Sequence, residues 1–150
     1  MAEPGGHERW MREALAEAAA GAGKGNLPVG SVVIRDGRPV ARGHNEVVSG
    51  CDPTAHAEIV AIRRAAAALG TPLLTGCVLY TSLEPCPMCA AALVWARVER
   101  VVIGAFFPRT GGVRSRARIL DLLGPIIHTV QVDGEVLPAE CLAMLPADYR

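Results

Sequence analysis

Nowhere does this 150-residue chain stay apolar for the roughly 20 residues that a membrane-spanning helix requires. The opening "MAEPGGHERW" carries acidic residues and no apolar stretch, which argues against a secretory leader, and a cytoplasmic protein is expected. Net charge is zero, so no global basic excess advertises a nucleic-acid partner. An even set of cysteines is also missing. The five present (Cys51, Cys77, Cys86, Cys89 and Cys141) do not suit a disulfide framework, and a close pair is better used for metal binding or catalysis. "GAGKGN" lacks the Ser or Thr that follows Gly-Lys in a phosphate loop and is dismissed as one. There is no internal repeat, no low-complexity linker and no composition break, so a single domain over 1–150 is expected. At 51% hydrophobic and 20% charged residues, the chain has enough apolar material for an ordinary core.

What is present alternates between strand and helix patterns. Residues 8–21 place Trp10, Ala14, Leu15 and Ala18 at helical spacing, with Trp10 as an anchor and Gly21 and Gly23 as a stop. "VGSVVIRDGRPVARGHN" predicts a hairpin, with strands near 29–34 and 39–44 about an Asp36-Gly37 turn. "DPTAHAEIVAIRRAAAALG" predicts a capped helix ending at Gly70. A strand near 77–81 precedes the helix "CPMCAAALVWARV", in which Pro87 fits only the first turn. "RVVIGA" reads as a buried strand. A helix near 115–122, a strand near 127–132 and a helix near 138–145 complete an α/β chain with one sheet covered by helices. Trp95 is expected in the core, on the apolar face of the cysteine helix. Arginines 97, 100, 109, 114, 116 and 118 stand against Glu99 alone, a local net of +5. From residue 121 onward the balance is −4.

Cys86 and Cys89 straddle a helix start, where free N–H groups and the helix dipole favour thiolates. A redox pair needs no further ligand, and a structural zinc knuckle needs a second pair that this chain lacks. His56 and Glu58, in "HAE", supply a different complement. One imidazole and two thiolates make three ligands and leave a fourth tetrahedral position open, as in a catalytic zinc site. Glu58 need not be a ligand and can serve as the proton shuttle beside a metal-activated water. His-x-Glu followed by Pro-Cys-x-x-Cys is the signature of zinc nucleobase deaminases. A zinc-binding scaffold without activity and a thiol–disulfide oxidoreductase are the alternatives. The first is disfavoured because Glu58 is retained, and the second leaves "HAE" unexplained.

From about Asn26 to Gly112, the segments "PVGSVVIRDG", "GHN", "DPTAHAE", "LYTSLEPCPMC" and "RVVIGA" resemble the cytidine/deoxycytidylate deaminase superfamily. The likeness is to its bacterial branch of tRNA-specific adenosine deaminases and guanine deaminases. The resemblance implies a three-layer α/β/α cytidine-deaminase-like fold with a five-stranded mixed sheet, one Zn2+ per chain on His56, Cys86 and Cys89, and a homodimer. It implies hydrolytic removal of an exocyclic amine as ammonia, with Glu58 carrying the protons. The backbone at Ala57 and the Cys86 helix end would polarise the reacting atoms, and Asn45 would hydrogen-bond the base. His44 is expected to pack structurally, and Glu84 to orient the cysteine helix without being catalytic.

The substrate is less constrained than the reaction. "FPRTGGVRS" is similar to the loop by which tRNA adenosine deaminases hold the anticodon backbone, and Arg109, Arg114 and Arg116 are the candidate nucleic-acid contacts, Arg118 standing beside them. "LPAEC" also resembles the start of that branch's last helix. Two departures point the other way. Phe107 stands where those enzymes carry an aspartate that meets ribose, and "MLPADYR" replaces a helix rich in aromatic and basic residues. The C-terminal extension of the guanine deaminase branch is absent as well. A free base or nucleoside is therefore the expected substrate, with tRNA as the alternative. Phe107 and Phe106 are expected either to wall the pocket or to pack in the core.

Overall fold

The computed structural model describes residues 6–150; the first five residues, on which the reading of the N-terminus partly rests, lie outside the described residues. Ten elements follow in chain order: α1 (Gly6–Ala22), β1 (Gly30–Arg35), β2 (Arg38–His44), α2 (Ala57–Leu69), β3 (Cys77–Leu83), α3 (Pro87–Trp95), β4 (Arg100–Ala105), α4 (Ile119–Leu123), β5 (Gln131–Gly134) and α5 (Pro138–Ala143). The strands form one mixed sheet in the order β2-β1-β3-β4-β5. β1 is antiparallel to β2 and β3, whereas β3, β4 and β5 run parallel.

Local chemistry fixes several boundaries. Asp36 (φ 51°) and Gly37 (φ 71°) both adopt positive φ, which gives a two-residue hairpin turn the twist its flanking strands need. Gly70 (φ 68°) ends α2 with a left-handed cap, its N–H donating to Ala66 O. Pro87 occupies the first turn of α3, where its missing N–H costs no helical bond.

Side chains alternate across the strands and separate two apolar layers. Val33, Leu79, Val101 and Ile103 face Ala61 and Ala65 of α2, Ala90, Leu93 and Val94 of α3, and Leu120 of α4. Val32, Ile34, Tyr80 and Val102 face Trp10, Met11 and Ala14 of α1 and Cys141 of α5. Helices thus cover both faces, as the sequence implied. No helix among the described residues is long and apolar enough to cross a membrane.

Three expectations are corrected. Trp95 is 64% exposed instead of packing in the core. Its helix is apolar nearly all round, so the sequence could not show which stripe meets the sheet; Ala90, Leu93 and Val94 take that role. The helix expected near 115–122 begins only at Ile119, because the N–H groups of Val113, Arg114 and Ser115 converge on the Glu84 carboxylate in a tight turn. The strand expected near 127–132 is displaced to Gln131–Gly134. Its ladder starts where Gln131 N–H donates to Glu99 O, while Ile127 O and the His128 ring are engaged by Arg97 and Val98 O.

Candidate metal and active site

The starts of α2 and α3 meet at one end of the sheet, bringing together residues 30 positions apart. His56 is the N-cap of α2 and Cys86 the N-cap of α3; Cys89 lies one turn farther in and is buried. His56 Nδ1 stands 3.5 Å from Cys86 Sγ and 3.5 Å from Cys89 Sγ. All three ligand atoms lie within 4.8 Å of one another. An ion with Zn–N near ~2.0 Å and Zn–S near ~2.3 Å would separate tetrahedral N and S ligands by roughly 3.5 Å, so the donor set fits zinc in both type and spacing.

The two thiols hold their protons unequally. The Cys89 thiol hydrogen-bonded to Cys86 pulls the Cys86 pKa down to about 4 against the opposing effect of burial, and His56 assists. Cys89 is pushed up by that same bond and by burial. The hydrogen bond to Cys86 also raises the His56 pKa. Cys86, at the start of its helix, is the thiol of the pair inclined toward thiolate, the form in which cysteine binds zinc.

Glu58, in the first turn of α2, is 4% exposed. Burial raises its pKa, only partly offset by hydrogen bonds from Cys89 and from Thr81, whose Oγ1 donates to Glu58 Oε1 at 2.7 Å. A carboxyl group so placed tends to hold a proton it has taken, as an acid–base group must.

These residues border a cleft that opens to solvent. Asn45, Ala57, Glu58, His56 and Cys86 line it, as do Leu27, Val29 and Leu83. Asn45 is 7% exposed; its Oδ1 accepts from Val47 N–H at 3.0 Å, and its Nδ2 donates to no described residue. His44 is engaged away from the cleft, Nδ1 bonding Glu17 Oε2 at 2.8 Å.

Of the two places expected for Phe107, at the pocket wall or in the core, the ring takes the second. Phe107 is 2% exposed and does not line the cleft; its ring stacks on Tyr149 (centroids 5.3 Å apart, 11° between planes), and Tyr149 lines the cleft instead. Apolar burial beside Val29, Leu83 and Leu145 draws the phenyl ring inward. No signal in the sequence singled out Tyr149.

Glu84 has a larger structural part than the sequence showed. Its carboxylate accepts from the N–H groups of Phe107 (2.8 Å), Val113 (3.1 Å), Arg114 (2.8 Å) and Ser115 (3.0 Å), and from the Ser115 hydroxyl. Burial pushes its pKa up, but these donors outweigh that and hold it below the usual carboxylate value. The loop after β4 is thereby fastened to the strand that leads into the cysteine helix. Gly111 permits it, because a Cβ there would lie 2.2 Å from Glu84 Oε1.

The three candidate arginines diverge. Arg109 Nη1 donates to Tyr149 O at 2.9 Å and Asp148 O at 3.4 Å, and Arg114 lies over the Phe106 ring at 5.4 Å. Arg116 makes no such contact with a described residue.

Known proteins are similar to this chain in sequence and in fold. Residues 5–105 match the family described as the cytidine and deoxycytidylate deaminase zinc-binding region. The tRNA-specific adenosine deaminase of Bacillus subtilis is 43% identical over 145 residues, covering 95% of this chain and 88% of the relative. The guanine deaminase of the same organism is 46% identical over 100 residues, covering 66% and 64%. A solved structure from studies of A-to-I editing by tRNA:A34 deaminases superposes with a TM-score of 0.86 at 39% identity, covering 91% of this chain and 99% of that one. A guanine deaminase structure from Nitrosomonas europaea gives 0.80 at 28% identity, covering 96% and 84%. With a zinc-fitting triad, a buried carboxylate beside it and these relatives, the chain belongs to the cytidine/deoxycytidylate deaminase family of zinc-dependent hydrolytic deaminases.

Proposed function

We propose that this cytoplasmic, single-domain enzyme deaminates a free nucleobase or nucleoside. The observation that carries this reading is the engagement of its local basic cluster within the chain. Of the six arginines between 97 and 118, Arg97 donates to Ile127 O, Arg100 pairs with Asp133, Arg109 holds the C-terminal carbonyls, Arg114 covers Phe106 and Arg118 pairs with Asp121. A polynucleotide deaminase draws much of its affinity from phosphate contacts, and few cations here are free to make them. A base or nucleoside needs only the cleft.

Within that cleft, His56, Cys86 and Cys89 would hold a zinc ion, whose chemistry when bound would be to activate water. Asn45 offers its amide to the base. Glu58 would carry two protons in turn: one from the attacking water to a ring nitrogen as the C–O bond forms, and one from the resulting hydroxyl to the amine as the C–N bond breaks and ammonia leaves. Ala57, at the N-terminus of α2, presents backbone N–H at the positive end of the helix dipole, where a developing oxyanion is stabilised.

A second reading, deamination of adenosine within tRNA, is favoured by the greater coverage of the tRNA-enzyme relatives, 95% of this chain against 66% for the guanine deaminase. Ammonia release from adenine, guanine, cytosine, their nucleosides and an anticodon stem-loop separates the two. Turnover of a base or nucleoside at least tenfold above the stem-loop is expected. A stem-loop preference with steep salt dependence would replace this reading by the second.

The chain is further proposed to act as a homodimer. Met88 and Trp95 lie two turns apart on one face of α3 and are 37% and 64% exposed. Leu122 of α4 and nearby Ile126 are 63% and 74% exposed, and α3 packs beside α4. Exposed apolar groups gathered this way suit a self-association face. Sedimentation should give the dimer mass and Trp95→Ser should shift it toward monomer; a monomeric wild-type protein at micromolar concentration would exclude the proposal.

A further inference from the structure

Two hydroxyls stand side by side in the apolar layer between the sheet and α2. Ser31 of β1 and Thr81 of β3 are register partners, and both are 0% exposed. They share the sheet face of Val33 and Leu79, which pack in that layer. Glu58 shares one face of α2 with Ala61 and Ala65, which pack there too. The Thr81 hydroxyl has a single proton to give and finds Glu58 Oε1 at 2.7 Å and Leu83 O at 3.2 Å, and the nearer acceptor takes it. Ser31 Oγ bonds to no described residue. Thr81 is thus the donor through which the sheet reaches the buried carboxylate. Valine would fill the space of threonine without a polar atom, so packing alone does not call for a hydroxyl at this position.

We propose that Thr81 is a positioning residue for the reaction: by holding Oε1, it fixes the Glu58 carboxylate so that the other oxygen, Oε2, serves the cleft. The inference rests on Glu58 as the proton carrier and names what aims it. Glu58 lines the cleft yet is 4% exposed, so solvent does little to orient it. Its side chain has several rotatable bonds, and an unheld carboxyl group would spread over more than one rotamer. Proton transfer needs the carrying oxygen within hydrogen-bond reach of the atoms it serves. Thr81 is a firm anchor because β3 is paired with β1 on one side and β4 on the other, and its branched Cβ restricts χ1. A donor fixed in this way removes freedom that would otherwise have to be lost on the way to the transition state.

The test compares zinc-loaded wild type, Thr81→Val, Thr81→Ser and Ser31→Ala. Ammonia release is measured on whichever of adenine, guanine, cytosine, their nucleosides and the anticodon stem-loop the wild type turns over fastest. Thr81→Val should lower kcat about 10–100-fold, with KM and zinc content unchanged. Thr81→Ser, which keeps the donor, should restore most of kcat. Ser31→Ala should leave kcat unchanged, since that hydroxyl holds nothing. In crystals, Glu58 should leave its wild-type rotamer in Thr81→Val and keep it in Thr81→Ser. In a Glu58→Gln background, Thr81→Val should add little further loss, because the anchor acts only through the proton carrier. Wild-type kcat in Thr81→Val while Glu58→Gln is inactive overturns the anchor and leaves Glu58 in its role. So does an equal loss in Thr81→Ser, an unmoved Glu58 rotamer, or loss of zinc in Thr81→Val. Full turnover in Glu58→Gln removes both the anchor and the proton carrier.

Discussion

Glu58→Gln is expected to lower kcat by about 10²–10⁴-fold while the protein keeps about one zinc ion per chain. The substitution preserves shape and allows the Thr81 hydroxyl, 2.7 Å from Oε1, to retain an acceptor. What it removes is the capacity to take up and release a proton. Because Glu58 is 4% exposed and its pKa is raised by burial, no solvent carboxylate can substitute for it at that position. The neutral amide also relieves the cost of an ionised carboxylate in a buried site, so the melting temperature should not fall. Metal analysis alongside ammonia release checks this. Loss of zinc in the variant would make Glu58 a ligand and overturn its assignment as proton carrier. Full turnover with zinc retained would place the proton-transfer step elsewhere.

Cys86→Ala should behave in the opposite way, losing both metal and turnover. Only His56 Nδ1 and Cys89 Sγ would remain of the three-atom donor set, too few to hold a catalytic zinc against dilution. Stability should fall as well, because a metal bound only by the folded chain stabilises it by RT ln(1 + [L]/Kd), roughly 4 kcal/mol at a thousandfold excess over Kd. Chelation of the wild type should lower its melting temperature in the same direction, with zinc restoring it, and should leave Cys86→Ala unmoved. Stoichiometric zinc in Cys86→Ala would show that a different donor set holds the ion. The two variants together separate the group that holds the metal from the group that moves the proton.

Elements specified by neighbouring residues were legible in the chain. The hairpin needed only Asp36-Gly37 between alternating apolar residues, and α2 needed its run of helix formers and Gly70. The metal triad was legible for a related reason. His-x-Glu and Cys-x-x-Cys are short patterns whose spacing places each ligand at a helix start, so the only long-range requirement is that the two helix starts meet. A strand order that sets β3 beside β1 and β4 meets it.

Residues whose roles depend on distant partners were not legible. Glu84 looked like a flanking residue, yet it fastens a loop 23 to 31 positions away by hydrogen bonds that, the Ser115 hydroxyl aside, come from backbone N–H groups, and those are identical at every non-proline position. Trp95 looked like core because its helix is apolar on nearly every side, and only packing against the sheet decided which stripe was covered. Phe107 could be read from the sequence either as pocket wall or as core, and it lies buried behind Tyr149, a residue with no motif of its own. The sequence by itself determined the reaction class, since the metal ligands, and beside them the carboxylate proposed as proton carrier, are placed by residue type and short spacing. Only the tertiary structure decided which side chains wall the cleft, because that depends on where the loop after β4 and the C-terminal segment come to rest, and many weak contacts across the whole chain settle that.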